Sequence, residues 1–238
     1  MNIFIKKKKV KLKNLKASVL ITNYNNDKYI KNCVSSLLKQ TYKNIEIIFH
    51  DDYSSDSSIK IIKNYKKIKV IKNKKRSNVG SFNQIKGYKR AFKKRTGDII
   101  FFLDSDDFYK FNKIKKIVKI FKNNTNISTI FDLPIFYYTK KKIYKKIKNP
   151  ILENYWPYIA PQSCISMRRE EFKKVLNKIN FNLFSDIWMD FRIALYTKQI
   201  SNNSTIINEN LTYYRQSPKM VSSKFKFSLL FNFFKYLS

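Results

Sequence analysis

Four short apolar runs, separated by segments of helical period, constrain this chain more than any other feature in it. They are "ASVLIT" at 17–22, "IEIIFH" at 45–50, "IKVIKN" at 68–73 and "DIIFFLD" at 98–104. Each is strand length and rich in β-branched or aromatic residues. Between them, "KYIKNCVSSLLK" at 28–39 puts Ile30, Val34, Leu37 and Leu38 at helical spacing. "DDYSSDSS" supplies loop and cap chemistry before a second helical stretch, "IKIIKNYKK", and "FNQIKGYKRAFKK" at 82–94 is a third. Alternation of this kind predicts an α/β fold: a mostly parallel sheet with helices on both faces.

The second half changes character. One more helix is expected over 111–122, with Ile114, Ile117, Val118 and Phe121 on one face. "ISTIFDLPIFYYTKKKIYKKI" reads as aromatic strand material and "NPILENYWPYIAPQS" as a loop. "REEFKKVLNKI" and "DIWMDFRIALYTKQ" read as helices. With no internal repeat and no clean linker, the expected organisation is a basic leader at 1–16, one domain over 17–222 and an amphipathic tail at 223–238. In the tail, Phe227, Leu230, Phe231, Phe234 and Leu237 share a helical face. That face, flanked by lysines, suits the interface of an anionic membrane.

The 50 Lys+Arg against 16 Asp+Glu give a net charge of +34. Only seven of these cations are Arg, the residue suited to bidentate reading of bases and phosphates, and the lysines run along the whole chain. No specific nucleic-acid partner is expected; attraction to anionic surfaces is. Cys33 and Cys164 make no disulfide framework or metal spacing and fit a reducing compartment. No apolar run reaches the length of a membrane span, and the leader does not read as a signal peptide. A cytoplasmic protein, peripheral on the membrane face, is the expectation.

Against this scarcity of acids, "DSDD" at 104–107 sets three carboxylates directly after a buried strand. Packed carboxylates repel unless a cation sits among them. In a parallel sheet the strand ends carrying "TNYN", "HDDYSSD" and "DSDD" share one edge, where ligands of such sheets bind. Asp51, Asp52, Asp56, Asp104, Asp106 and Asp107 therefore converge there. A hard divalent cation carrying a diphosphate would neutralise the last group. All three glycines, Gly80, Gly87 and Gly97, precede the fourth strand and mark turns or close backbone approaches. His50, which closes a strand, reads as a packed or solvated histidine and not as a catalytic one.

The series "SVLITNYNNDKYIKNCVSSLLKQTYKNIEIIFHDDYSSD" followed by "NVGSFNQIKGYKRAFKKRTGDIIFFLDSDD" resembles family 2 nucleotide-sugar glycosyltransferases of GT-A fold, strongly over 17 to about 122. "PQSCISMRREEF" is similar to the family's acceptor-side strand and helix, and "LTYYRQSPKMVSS" to its late Tyr-Arg segment. By position the resemblance implies that Thr22 and Tyr24 line the nucleoside pocket and that Asp52 accepts from the pyrimidine, most often uracil. "DSDD" is then the Asp-x-Asp motif for Mg2+ or Mn2+. It assigns Asp104 to the ribose and metal region, Asp106 to the metal, and Asp107 as a further candidate ligand. In "FSDIWMDFRIAL", counting back from Arg192 puts the general base at Asp186, with Asp190 its rival one turn on. Two departures stand out: Ser185 replaces the acid before the base, and Ser217 replaces a late histidine.

The implied activity is inverting transfer of a sugar from a nucleotide diphosphate, UDP expected, to a hydroxyl of a glycan or lipid-linked acceptor. Trp156 and Tyr158 would stack on the acceptor sugar. A catalytically inactive glycan-binding relative and a basic nucleic-acid-binding protein are the rival readings. Metal-dependent hydrolysis of UDP-sugars separates them.

Overall fold

The computed structural model describes residues 14–140, 143–146, 159–179 and 187–216. The first four strands are β1 (Ala17–Asn23), β2 (Ile45–Asp51), β3 (Ile68–Lys72) and β4 (Ile99–Asp104), within a residue or two of the apolar runs. They pair in parallel in the order β3-β2-β1-β4. The helices between them are α1 (Asp27–Leu38), α2 (Ser58–Ile62) and α3 (Gly80–Lys93). The second of these is a little over one turn, shorter than "IKIIKNYKK" suggested.

Period-two burial splits the apolar residues between two layers. Val19, Ile21, Ile47, Phe49, Phe101 and Leu103 face Ile30, Val34 and Leu37 of α1, Ile62 of α2, and Ile114, Ile117, Val118 and Phe121 of α4 (Lys113–Asn123). Leu20, Ile48, Ile100 and Phe102 face Ile85, Tyr88, Ala91 and Phe92 of α3, together with α5 (Arg169–Lys178) and α6 (Met189–Tyr196). Helices cover both faces, as the alternation requires.

Beyond β4 the sheet becomes mixed. The remaining strands are β5 (Phe108–Tyr109), β6 (Thr129–Tyr138), β7 (Ile143–Lys146), β8 (Ile165–Arg168) and β9 (Ser204–Gln216). The order continues β4-β8-β6-β9-β5, with β7 also on β6. Antiparallel β8 starts beside the end of β4, since Phe101 pairs with Ser166 and Ile99 with Arg168. A 3-10 turn, Gln162–Cys164, leads into it.

One buried cation ties this half together. Lys113 and Asp132 are fully buried, and the lysine Nζ donates to Asp132 Oδ1 at 2.6 Å, Thr212 Oγ1 at 2.6 Å and the Ser163 carbonyl at 2.7 Å. Each of its three protons has an acceptor, which is what a buried ammonium needs to stay charged. The bonds draw α4, β6, β9 and the 3-10 turn to one point.

Candidate active site

The ends of β1 to β4 bring the predicted side chains to one edge, though not all in the same role. Asp56 is a helix cap: its Oδ2 accepts the Asp27 N–H that opens α1, at 2.9 Å. Asp51 serves its own turn, accepting Asn23 Nδ2 at 2.8 Å and the Ser54 N–H at 3.0 Å. Two of the six converging acids are thus occupied by backbone and loop.

Asp52 is buried and held from both sides. Asn73 Nδ2 donates to Oδ1 and Arg76 Nε to Oδ2, each at 2.8 Å. The Arg76 guanidinium lies 3.5 Å from the centroid of the Tyr24 ring, a close cation–π contact. Tyr24 is 40% exposed, so its ring borders solvent beside the buried Asp52. Asn73 and Arg76 escaped the sequence reading, although Asn73 sits just beyond β3 at the same edge as Asp52.

Asp104 is the best-held carboxylate. Its Oδ1 accepts three bonds: Tyr88 hydroxyl at 2.9 Å, Thr22 Oγ1 at 3.0 Å and Gln84 Nε2 at 3.3 Å. No donor among the described residues reaches Oδ2. Burial raises its pKa while these three donors lower it, and the net shift is upward. Gly87 makes the arrangement feasible. A Cβ there would lie 2.9 Å from His50 Nδ1 and 3.2 Å from Thr22 Cγ2, so only glycine lets α3 approach close enough for Gln84 and Tyr88 to reach.

Asp106 is pushed up to about 7, first by burial and then by Asp104, with Arg215 acting the other way. No described residue donates to its carboxylate from another side chain. Asp107 differs, because Ser163 Oγ donates to Oδ2 at 2.6 Å and the Arg215 N–H to Oδ1 at 2.8 Å. Burial, then Asp106 and Asp104, raise its pKa well above the usual range. Ser163 Oγ also accepts the Asp104 N–H at 3.1 Å. Arg215 Nε donates to the Asp106 carbonyl at 2.6 Å, and its guanidinium stands among Tyr29, Tyr137 and Phe108.

Among the described residues no group of three or more His, Cys, Asp or Glu side chains could hold a metal ion. Asp106 and the open Oδ2 of Asp104 nonetheless fit a cation that takes one or two carboxylates and completes its shell with phosphate and water, as Mg2+ does. Burial raises both acids, and the charge of Asp104 raises Asp106 further, a cost that such a cation would relieve.

On the acceptor side, helix α6 begins at Met189, three residues later than the sequence suggested, and Asp190 therefore lies in its first turn. The Phe191 N–H donates to its Oδ1 at 2.8 Å. Burial raises its pKa to about 6, and the charge of Asp104 adds to the rise. Gln84 links the two halves, since its Oε1 accepts the Met189 N–H at 3.4 Å. Asp186, Trp156, Tyr158 and Ser217, with the leader up to residue 13 and the tail, lie outside the described residues.

Comparison with known proteins bears on the family and the fold. The family model for glycosyl transferase family 2 matches residues 18–190. An uncharacterized glycosyltransferase of Nostoc sp. is 31% identical over 217 residues, covering 84% of this chain and 65% of that protein. A poly(ribitol-phosphate) beta-glucosyltransferase of Bacillus spizizenii is 34% identical over 118 residues, which is 49% of this chain and 19% of the relative. The chain thus spans less than two thirds of the length of either. Among solved structures, S. aureus TarS in complex with UDP superposes with a TM-score of 0.65 at 18% identity, over 86% of this chain and 61% of that one. The mannosyltransferase PcManGT of Pyrobaculum calidifontis, in complex with GDP-Man and Mn2+, does so at 0.61 and 14%, over 82% and 55%. These likenesses show the GT-A fold. With the family match running from the first strand into α6, the chain belongs to glycosyl transferase family 2.

Proposed function

We propose that this chain is an inverting glycosyltransferase that moves a sugar from UDP to a hydroxyl of a glycan or lipid-linked acceptor, in the building of a surface polymer. The observation that carries the reading is Asp104: three donors lock Oδ1, while among the described residues no donor reaches its Oδ2 and no side chain donates to the Asp106 carboxylate. A solvated acidic loop would need no such scaffold. The UDP named for TarS and the poly(ribitol-phosphate) named for the Bacillus relative support the donor and the acceptor class.

Asp52, with Asn73 and Arg76, would read the edge of the base. A carboxylate has about four acceptor positions, so two protein bonds leave room for a ring N–H. Tyr24 and Thr22 would border the nucleoside. Asp106 and Asp104 would hold Mg2+ or Mn2+, which when bound supplies Lewis-acid stabilisation of the departing diphosphate. Asp107, bonded at both oxygens, keeps the acidic loop against Ser163 and Arg215. Trp156 and Tyr158 would stack on the acceptor sugar.

Asp186, by its place before Arg192, would take the acceptor proton. A second reading has a specific observation behind it. Asp190 is described, lies in the first turn of α6 and is pushed up to about 6, by burial first and by the charge of Asp104 after it. A group with that value suits proton acceptance near neutral pH.

The test begins with thermal shift under UDP, GDP and Mn2+. Stabilisation by UDP that requires the metal is expected; no response to any nucleotide overturns the reading. Transfer or UDP-sugar hydrolysis then ranks the bases. Asp186→Asn should lower the rate by about 10² or more, with UDP binding intact. If Asp190→Asn does so instead, and abolishes an acidic limb near pH 6, Asp190 is the base.

A further inference from the structure

Gln162 lies at the edge of this site, and nothing in the preceding assignment uses it. It opens the 3-10 turn that abuts the end of β4, because antiparallel β8 starts where β4 stops. Its neighbour Ser163 holds the acidic loop directly, through the Asp104 N–H and the Asp107 carboxylate. Gln162 itself is only 3% exposed, yet among the described residues neither Oε1 nor Nε2 has a hydrogen-bond partner.

A primary amide offers two protons and two lone pairs, and burying all four unused is costly. Methionine would fill a similar volume without that cost. Packing therefore gives no reason for an amide here, and a ligand does. The base and the diphosphate are provided for by Asp52, Asn73 and Arg76 and by Asp104 and Asp106. Among the described residues, none of these assignments provides a partner for the sugar between the diphosphate and the acceptor. A ring hydroxyl or acylamino group pairs a donor with an acceptor, which an amide complements.

We infer that Gln162 recognises a hydrogen-bonding substituent of the transferred sugar and sets which sugar the site accepts. The inference rests on the UDP-sugar reading above. A site built to bond a substituent rejects sugars that lack it or present it wrongly, because its own polar atoms are then left bare.

The test is calorimetric titration with UDP, UDP-glucose, UDP-galactose and UDP-GlcNAc in the presence of Mn2+, on the parent, Gln162→Met and Gln162→Glu. The parent should prefer one of the three sugars. Gln162→Met should bind UDP within about twofold of the parent, melt at the same temperature or higher, and lose about tenfold of the sugar preference. Gln162→Glu, which keeps the acceptors and loses the protons, should shift the preference rather than erase it. An unchanged preference in both variants overturns the inference, as does a parent that binds UDP without distinguishing the sugars. A parent that binds none of the four ligands overturns the UDP-sugar reading first and this inference with it.

Discussion

Asp106 and His50 carry opposite pH signatures, and each is readable by substitution. The Asp106 carboxyl is held up at about 7, so between the ordinary carboxylate range and pH 7 the folded chain binds the proton more firmly than the unfolded one. Raising the pH through that window costs the metal-free protein stability. Asp106→Asn removes the cost, so its melting temperature should exceed the parent's by more at pH 8 than at pH 5, while Mn2+-dependent UDP binding disappears. Unchanged Mn2+-dependent affinity would contradict the assignment. His50 behaves in reverse. Burial first, and then Arg90, push its pKa down to about 4, against Asp52 and Asp51, and neither ring nitrogen has a partner among the described residues. Its stabilising neutral form is intact above pH 6.5 and is lost as pH falls towards 4. Other groups titrate in the same window, so the readout is the difference between the two proteins: His50→Leu should gain on the order of 3 kcal/mol on the parent as pH falls from 6.5 to about 4, in urea denaturation at stepped pH. The sequence left His50 as packed or solvated, and the fold packs it. The sequence also marked Asp104 and Asp106 by their density in an acid-poor chain. It gave no sign of Asn73, Arg76 or Gln162, whose importance lies in what the fold sets beside them.

At the scale of elements, β1 to β4 and the helices between them were legible because burial imposes a period of two or 3.6 on local sequence. The start of α6 was not. "SDIWMDF" carries helix-compatible residues throughout, and packing sets the first turn at Met189. Part of that packing is visible: a Cβ on Gly80 would stand 3.2 Å from Trp188, so the α6 entry lies hard against the start of α3. The Lys113–Asp132 pair is likewise a tertiary product, joining residues on α4 and β6 with Thr212 on β9. Lys113→Met would leave Asp132 buried without its counter-ion and should cost about 3–5 kcal/mol in urea denaturation. Adding Asp132→Leu should restore most of it, because the double change removes both desolvated charges. A single variant as stable as the parent would mean that Asp132 is neutral in the folded chain.

For the whole molecule, a net charge of +34 predicts adhesion to anionic lipid that weakens with salt. Flotation with anionic vesicles should recover the full chain at low ionic strength, and recover less of a chain ending at Ser222 if the tail adds an apolar face. Equal recovery of both would leave charge alone as the cause. No helix among the described residues is long and apolar enough to cross a membrane. By itself the sequence determined the strand–helix alternation, the two-layered core and the edge at which the acids gather, since each follows from side-chain periodicity along a local segment. Tertiary structure decided how those acids are used. Among the described residues Asp56 caps a helix, Asp107 is bonded at both oxygens, and Asp104 keeps one oxygen open, because the donors that separate them come from Asp27, Ser163, Arg215, Thr22, Gln84 and Tyr88. Most of those partners lie tens of residues away along the chain, and only the closed fold brings them within a hydrogen bond's reach.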